Sequence, residues 1–497
     1  MTEYLIYLDQ LASLKRRIRR YEPESLILTV AARMVSIDKK IVEQRRTPLH
    51  NLYHMIKLCI LLDERPPRQR TKFQYKDILS LMKCYNELKF PQYEYAKIRN
   101  IPKAIQFKWI FQWCQAPFQE IIDSDAMGRT LYLFETNQYG EKLCKLFESE
   151  SGLTMSEYYQ GCMLIYSIAS SGLPFCRGNV SNSKLDVARG EKLEALLLLL
   201  KSNFKEFRAR VEESDLRSDL FEQFSPPVIE KKPIVQLDVD KFVTPWPHFF
   251  VNRICFGPYH ILKRKYGEKF TSLFGKRFQV YVETLLSKLY SEGSPAFLPE
   301  RKINFLGKKP DFVIVCNSEA LLIECKAIEE ATPYIDKDRL KIVEGKKLGE
   351  AVVQCFEFGE KLLSNEIVSI TEPVKKCYCL VVTYRRFFFA NGPFYRSEVI
   401  LEYPKHLLGN GGFKKFVDEY QIVDIKGFER LVAISMWSGK HLVDIIKQKI
   451  RDDLTSEFDL YLVTDQNSEY LRKGIPDIGD KFRRSAEEIK RSIIPPS

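Results

Sequence analysis

The chain has no long hydrophobic run. Ala195–Leu200 is among its longest clean apolar stretches, far short of the roughly 20 residues that cross a bilayer, so no membrane partner is expected. Met1-Thr2-Glu3-Tyr4-Leu5 has neither the basic start nor the apolar segment of a secretory leader. No CxxC pair occurs among the 12 cysteines, and Cys377 and Cys379 stand too close together for a zinc finger. Several cysteines lie inside apolar runs such as Phe312–Cys316 and Leu321–Cys325. Free buried thiols and a cytoplasmic setting are expected. The first half contains no phosphate loop, no GxGxxG and no internal repeat. His50 and His54 are four residues apart, but no HExxH and no third ligand accompany them, so they read as core or surface histidines. No Ser-His-Asp or Cys-His signature stands out.

What is present describes a folded, multidomain protein. The 497 residues are too many for one ordinary core and suggest two to four domains. Hydrophobic residues make up 45% and charged residues 29%, and the 33 Phe and 25 Tyr exclude disorder over most of the length. Lys and Arg number 77 against 65 Asp and Glu, a net charge of +12. That excess permits a polyanionic partner without requiring one.

Residues 1–224 read as a largely α-helical module for regulation, recognition or oligomerisation. Leu5, Leu8, Leu11 and Leu14 keep helical spacing, as do Leu52, Met55, Ile56, Cys59 and Ile60. Glu191–Val211 reads as one long amphipathic helix. Residues 225–250 form a Pro-rich connector beginning at Ser225-Pro226-Pro227, with the aromatic Trp246–Phe250 segment docked on a neighbouring module. From about residue 270 the pattern becomes mixed α/β. It runs through a helix over Phe278–Tyr290, short strands at Ala296–Leu298, Asp311–Cys316 and Ala320–Ala327, a helix over Lys346–Leu363 and a strand over Cys377–Tyr384. Asn317-Ser318-Glu319 is a turn that makes the second and third strands an antiparallel hairpin. In 396–497, an α/β extension, Leu431–Met436 and Leu460–Val463 read as strands flanking a helix at His441–Leu454. Lys481–Arg491 reads as a solvated terminal helix.

Chemistry concentrates on that hairpin. Alternate side chains of a strand share a face, so Glu324 and Lys326 point one way, opposite an apolar face of Leu321, Ile323 and Cys325. Pairing through the turn brings Asp311 near them. Two carboxylates make a hard, oxygen-rich site suited to Mg²⁺ or Mn²⁺, which keep several waters and accept phosphate oxygens. Lys326 beside it can serve the attacking water or stabilise developing phosphorane charge. Both roles stay open. Lys308 and Lys309 beside Asp311, and Arg385 and Arg386 after the last core strand, are candidate grips on a nucleic-acid backbone. The Phe387-Phe388-Phe389 run reads as core.

Pro310-Asp311 followed 13 positions later by Glu324-Cys325-Lys326, with this element order around it, resembles the PD-(D/E)XK nuclease superfamily over residues 270–390. The resemblance implies an α/β restriction-endonuclease-like core with a mixed sheet, over 251–395, preceded by the helical module. It implies Glu283, in the helix before the strands, as an accessory acidic ligand. It also implies Gln354 beside the site and the backbone carbonyl of Cys325 as a metal ligand. The implied activity is metal-dependent phosphodiester hydrolysis, in DNA by family habit, with RNA still open and with a second copy or a partner subunit expected. The architecture suggests restriction or anti-phage defence. Alternatives are a nuclease of DNA repair or transposition, and a non-catalytic nucleic-acid-binding protein on the same fold.

Overall fold

Side-chain alternation organises the central sheet. The computed structural model describes residues 2–38, 49–62, 70–88, 124–135, 137–170, 173–213, 232–291, 296–329, 345–387, 390–404, 419–452, 461–464, 467–476 and 487. Five strands form one mixed sheet: β4 (Phe297–Pro299), β5 (Phe312–Cys316), β6 (Glu319–Lys326), β7 (Lys376–Thr383) and β8 (Tyr420–Asp424). They lie in that order, with β4–β5 and β5–β6 antiparallel and β6–β7 and β7–β8 parallel. A smaller sheet joins β1 (Lys201–Ser202), β2 (Ile234–Asp238) and β3 (Lys241–Val243).

The β5–β6 hairpin arises where expected. Cys316 pairs with Glu319 across Asn317 and Ser318, whose φ angles of 53° and 61° are both left-handed. A two-residue turn of this hand matches the twist of its strands. In β6, Leu321 and Ile323 enter one apolar core and Ala320 and Leu322 the other. The expected helix over Lys346–Leu363 is present with those bounds and covers the Ala320–Leu322 face through Leu348, Ala351, Val352 and Cys355. On the opposite face packs the helix Pro247–Leu286, broken at Gly267 (φ 50°, ψ −124°). The result is an α/β/α layering built by period-two alternation.

Helices dominate the first part of the chain. They include Thr2–Ile18, Pro23–Asp38, Leu49–Leu62, Tyr75–Glu87, Ser124–Glu135, Asn137–Ser151 and Met155–Ala169. Leu11, Leu14, Leu52, Met55 and Ile56 are buried as their spacing requires. These helices do not form a core of their own. Buried residues such as Leu11, Leu26, Leu52 and Leu81 belong to the same apolar cluster as one sheet face, and others such as Leu133, Phe147, Tyr158 and Leu196 to the same cluster as the other. Arg129, in Ser124–Glu135, reaches Glu429 with two contacts of 2.6 Å, and the Tyr281 hydroxyl donates to the same carboxylate at 2.5 Å. Among the described residues, no helix is long and apolar enough to cross a membrane. The described cysteines are free thiols, with Cys59, Cys162, Cys255, Cys355, Cys377 and Cys379 buried.

Four expectations change. Glu191–Val211 is two helices, Gly190–Leu200 and Phe204–Glu213, interrupted by β1. Ser202 is drawn into β1 by pairing with Val235, and the Asn203 side chain caps the next helix by accepting from Glu206 N. The 225–250 connector contains β2 and β3, and Trp246 and Phe250 are buried; Ser225–Pro227 lie outside the described residues. Leu431–Met436 lies in the helix Ile425–Ser438, not in a strand. Its apolar run is a buried helical segment, started by the Asp424 side chain accepting from Gly427 N and ended by left-handed Gly439. The neighbouring strand is β8, just upstream, and Tyr461–Leu462 is likewise helical rather than extended. The helix within His441–Leu454 is present as Leu442–Asp452. Leu460, Phe388, Phe389 and, except for residue 487, Lys481–Arg491 lie outside the described residues.

Candidate active site

Asp311, Glu324 and Lys326 meet at one end of the sheet because β5 and β6 run in opposite directions. Phe312 pairs with Ile323, so the next step along the hairpin sets Asp311 beside Glu324. At this point the Asp311 side chain continues the ladder. Its Oδ2 accepts the Cys325 backbone N–H at 2.6 Å, and its own backbone carbonyl accepts from Glu300 N at 2.7 Å. The carboxylate is held from the helix side by Gln279 Nε2, which donates to Oδ1 at 2.7 Å and reaches Glu300 Oε2 at 3.4 Å.

Glu324 is nearly buried. Its Oε1 accepts from Lys326 Nζ at 2.7 Å and its Oε2 from Gln354 Nε2 at 3.0 Å. Gln354 also donates to the Lys309 carbonyl at 2.7 Å, which ties the helix Lys346–Leu363 to the loop before Asp311. Cys325 packs on the opposite, apolar face, as alternation requires. Burial holds its thiol well above the usual cysteine value, so it stays neutral.

Electrostatics set this cluster apart from an ordinary surface ion pair. Burial raises the Glu324 carboxyl to about 8, and the Asp311 charge adds to the effect. Burial also raises Asp311 to about 6, against the Cys325 N–H and the Lys326 charge, which lower it. For Lys326, burial favours the neutral form, but Glu324 and Asp311 outweigh it and hold the ammonium above the usual lysine value. Both shifts favour the protonated carboxyls, so the cluster sheds negative charge toward neutral pH and the Lys326 ammonium balances what remains. Two carboxylates at neighbouring positions of the hairpin are oxygen donors of the kind a hard divalent cation takes. Such an ion takes one or two carboxylates and fills its remaining positions with waters and phosphate oxygens. Among the described residues, no group of three or more His, Cys, Asp or Glu side chains is arranged to hold a metal ion.

The other candidates divide. Gln354 is in the cluster. Glu283 pairs with Arg301, at 2.5 and 2.8 Å, rather than with Asp311. Gln279, one helical turn earlier, occupies the position against Asp311. The resemblance pointed to an acidic residue in this helix, and no local pattern marked Gln279. Lys309 is half-buried, with Nζ donating to the Ile303 carbonyl at 2.9 Å, whereas Lys308 is exposed. Arg385 lies over the Phe256 ring, 3.7 Å from its centroid, and Arg386 is half-buried beside it. His54 is buried against Tyr85 in the core. No family model, no curated protein and no solved structure matches the chain.

Proposed function

We propose that the chain is a metal-dependent nuclease built on a restriction-endonuclease-like core of the PD-(D/E)XK kind, hydrolysing phosphodiester bonds, in DNA by preference. The observation that carries this reading is the pair of carboxyls, buried Glu324 and half-buried Asp311, both raised in pKa, with Lys326 bonded to Glu324 and within the field of Asp311. A structural ion pair does not need a second carboxylate beside the first, because the added like charge costs free energy. A cation-binding site makes use of it.

Asp311 and Glu324 would hold Mg²⁺ or Mn²⁺, which would supply Lewis-acid polarisation of the phosphoryl group and offset charge on the leaving oxygen. Gln279 and the Cys325 N–H fix the Asp311 carboxylate, while Gln354 and Lys326 fix that of Glu324. Lys326, a quarter exposed at its side chain, reaches solvent from the edge of the cluster. From there its ammonium orients the attacking water or stabilises charge on the phosphorane-like transition state. Restriction or anti-phage defence is the biological setting that a nuclease packed against so large a helical part suggests.

The test uses plasmid and linear DNA with Mg²⁺, Mn²⁺ or EDTA, for the parent and for Asp311→Ala and Lys326→Ala. Cleavage by the parent that needs metal and is lost in both variants is expected. Variants that cleave as well as the parent overturn the assignment.

A further inference from the structure

Next to Asp311 lies a loop that the chemistry described so far leaves unused. Residues 300–311 leave the sheet and return to it, and the loop is closed at its base by the 2.7 Å bond from Glu300 N to the Asp311 carbonyl. It is packed by its own side chains, as an Ω-loop is. Phe305 N donates to the Ile303 carbonyl and Lys309 Nζ donates to the same oxygen. The Phe305 ring sits edge-on against Phe358 of the helix Lys346–Leu363, with centroids 5.7 Å apart. Gly307 lies so close to that ring that an added Cβ would fall 2.4 Å from it. Ser369 Oγ accepts from Asn304 N and braces the outer limb.

This bracing holds up a tip of unusual composition. Leu306 at the apex is fully exposed, and Lys302 and Lys308 on either limb are exposed as well. A lone exposed leucine is common. A leucine fully projected from a rigid loop, flanked by cations and rooted at a candidate metal ligand, is placed for a ligand with negative charge outside and apolar faces inside. A nucleic-acid duplex has that layout, with phosphates along its rims and stacked bases between them.

We propose that the 300–311 loop is the duplex-engaging element of the site. Lys308 and Lys302 contact phosphates, and Leu306 wedges against a base step beside the phosphodiester to be cut. Apolar wedges of this type partly unstack a step, and the cost is repaid by contact surface. Because its base is Asp311 itself, the loop sets the distance between the wedged step and the scissile bond. The inference rests on the nuclease reading for its substrate, but its test does not require cleavage.

Binding of a fluorescent 20-base-pair DNA duplex is measured by anisotropy in EDTA, over a range of salt, for the parent, Leu306→Ser and Lys308→Ala. The duplexes carry 2-aminopurine at successive positions. In the parent, fluorescence of one 2-aminopurine step rises on binding. Leu306→Ser abolishes that rise and leaves the salt slope unchanged. Lys308→Ala lowers the log–log salt slope by about one. Both residues probed are exposed, so folding is expected to survive, and circular dichroism checks it. A parent that does not bind duplex, or variants that bind and unstack as the parent does, overturns the loop's role. Wedge and lysine effects in a protein that cuts nothing with Mg²⁺ or Mn²⁺ support the loop and count against the nuclease reading instead.

Discussion

Replacing Glu324 by Gln separates a metal site from a structural ion pair, because the two readings give opposite signs. In the folded protein the Glu324 carboxyl is raised from 4.5 to about 8. Between these values the folded state binds more protons than the unfolded one, so stability falls as pH rises through that window. Each pKa unit corresponds to about 1.4 kcal/mol. With the charge shared between two coupled carboxylates, the penalty at pH 8 is on the order of a few kcal/mol. Glu324→Gln removes it. The substitution also costs one of the two hydrogen bonds accepted by the carboxylate, about 1 kcal/mol, while Lys326 keeps Asp311 as a neighbouring charge. At pH 8 in EDTA, Glu324→Gln should therefore be as stable as the parent or more so, by roughly 1–3 kcal/mol. At pH 5 the advantage should vanish. The assay is urea unfolding followed by Trp fluorescence at pH 5, 6.5 and 8, repeated with 10 mM Mg²⁺. For a dissociation constant of about 1 mM, Mg²⁺ should stabilise the parent at pH 8 by about 1.4 kcal/mol and the variant hardly at all. A variant that loses 2 kcal/mol or more at pH 8 and keeps the pH slope of the parent refutes the reasoning, because Glu324 would then serve only as the partner of Lys326.

Two other outcomes follow from the geometry. Ser318 adopts φ 61° in the β5–β6 turn, so Ser318→Gly should relieve backbone strain and raise stability by about 1 kcal/mol; urea unfolding at pH 7 checks it. Glu429→Gln breaks the buried contact with Arg129, so it should cost roughly 3–5 kcal/mol, and hydrogen exchange should rise together in Ser124–Glu135 and Ile425–Ser438.

Legibility followed the range of the forces involved. The β5–β6 hairpin, its turn and the helix Lys346–Leu363 could be read directly, because alternation, turn chemistry and helical period are local signals. The meeting of Asp311 with Glu324 could also be read, since a short hairpin leaves little choice of register. The strand assigned to Leu431–Met436 failed for the reverse reason. A short, wholly apolar run has no visible period, and burial on both sides of a helix looks like burial in a sheet. The single helix assigned to Glu191–Val211 failed because Ser202 pairs with a strand more than thirty residues away.

The sequence by itself determined the two carboxylates, the lysine, the faces they occupy and the order of elements around them. Tertiary structure decided what surrounds them. Only the packing of Pro247–Leu286 against the sheet puts Gln279 on Asp311 and sends Glu283 to Arg301, because helix rotation is set by the whole apolar interface. Only packing carries the N-terminal helices into both faces of the sheet core. Only the cross-loop contacts distinguish an anchored Lys309 from an exposed Lys308. Burial, which no residue spacing reveals, turned an acid–acid–lysine pattern into a cluster whose two carboxyls are raised in pKa.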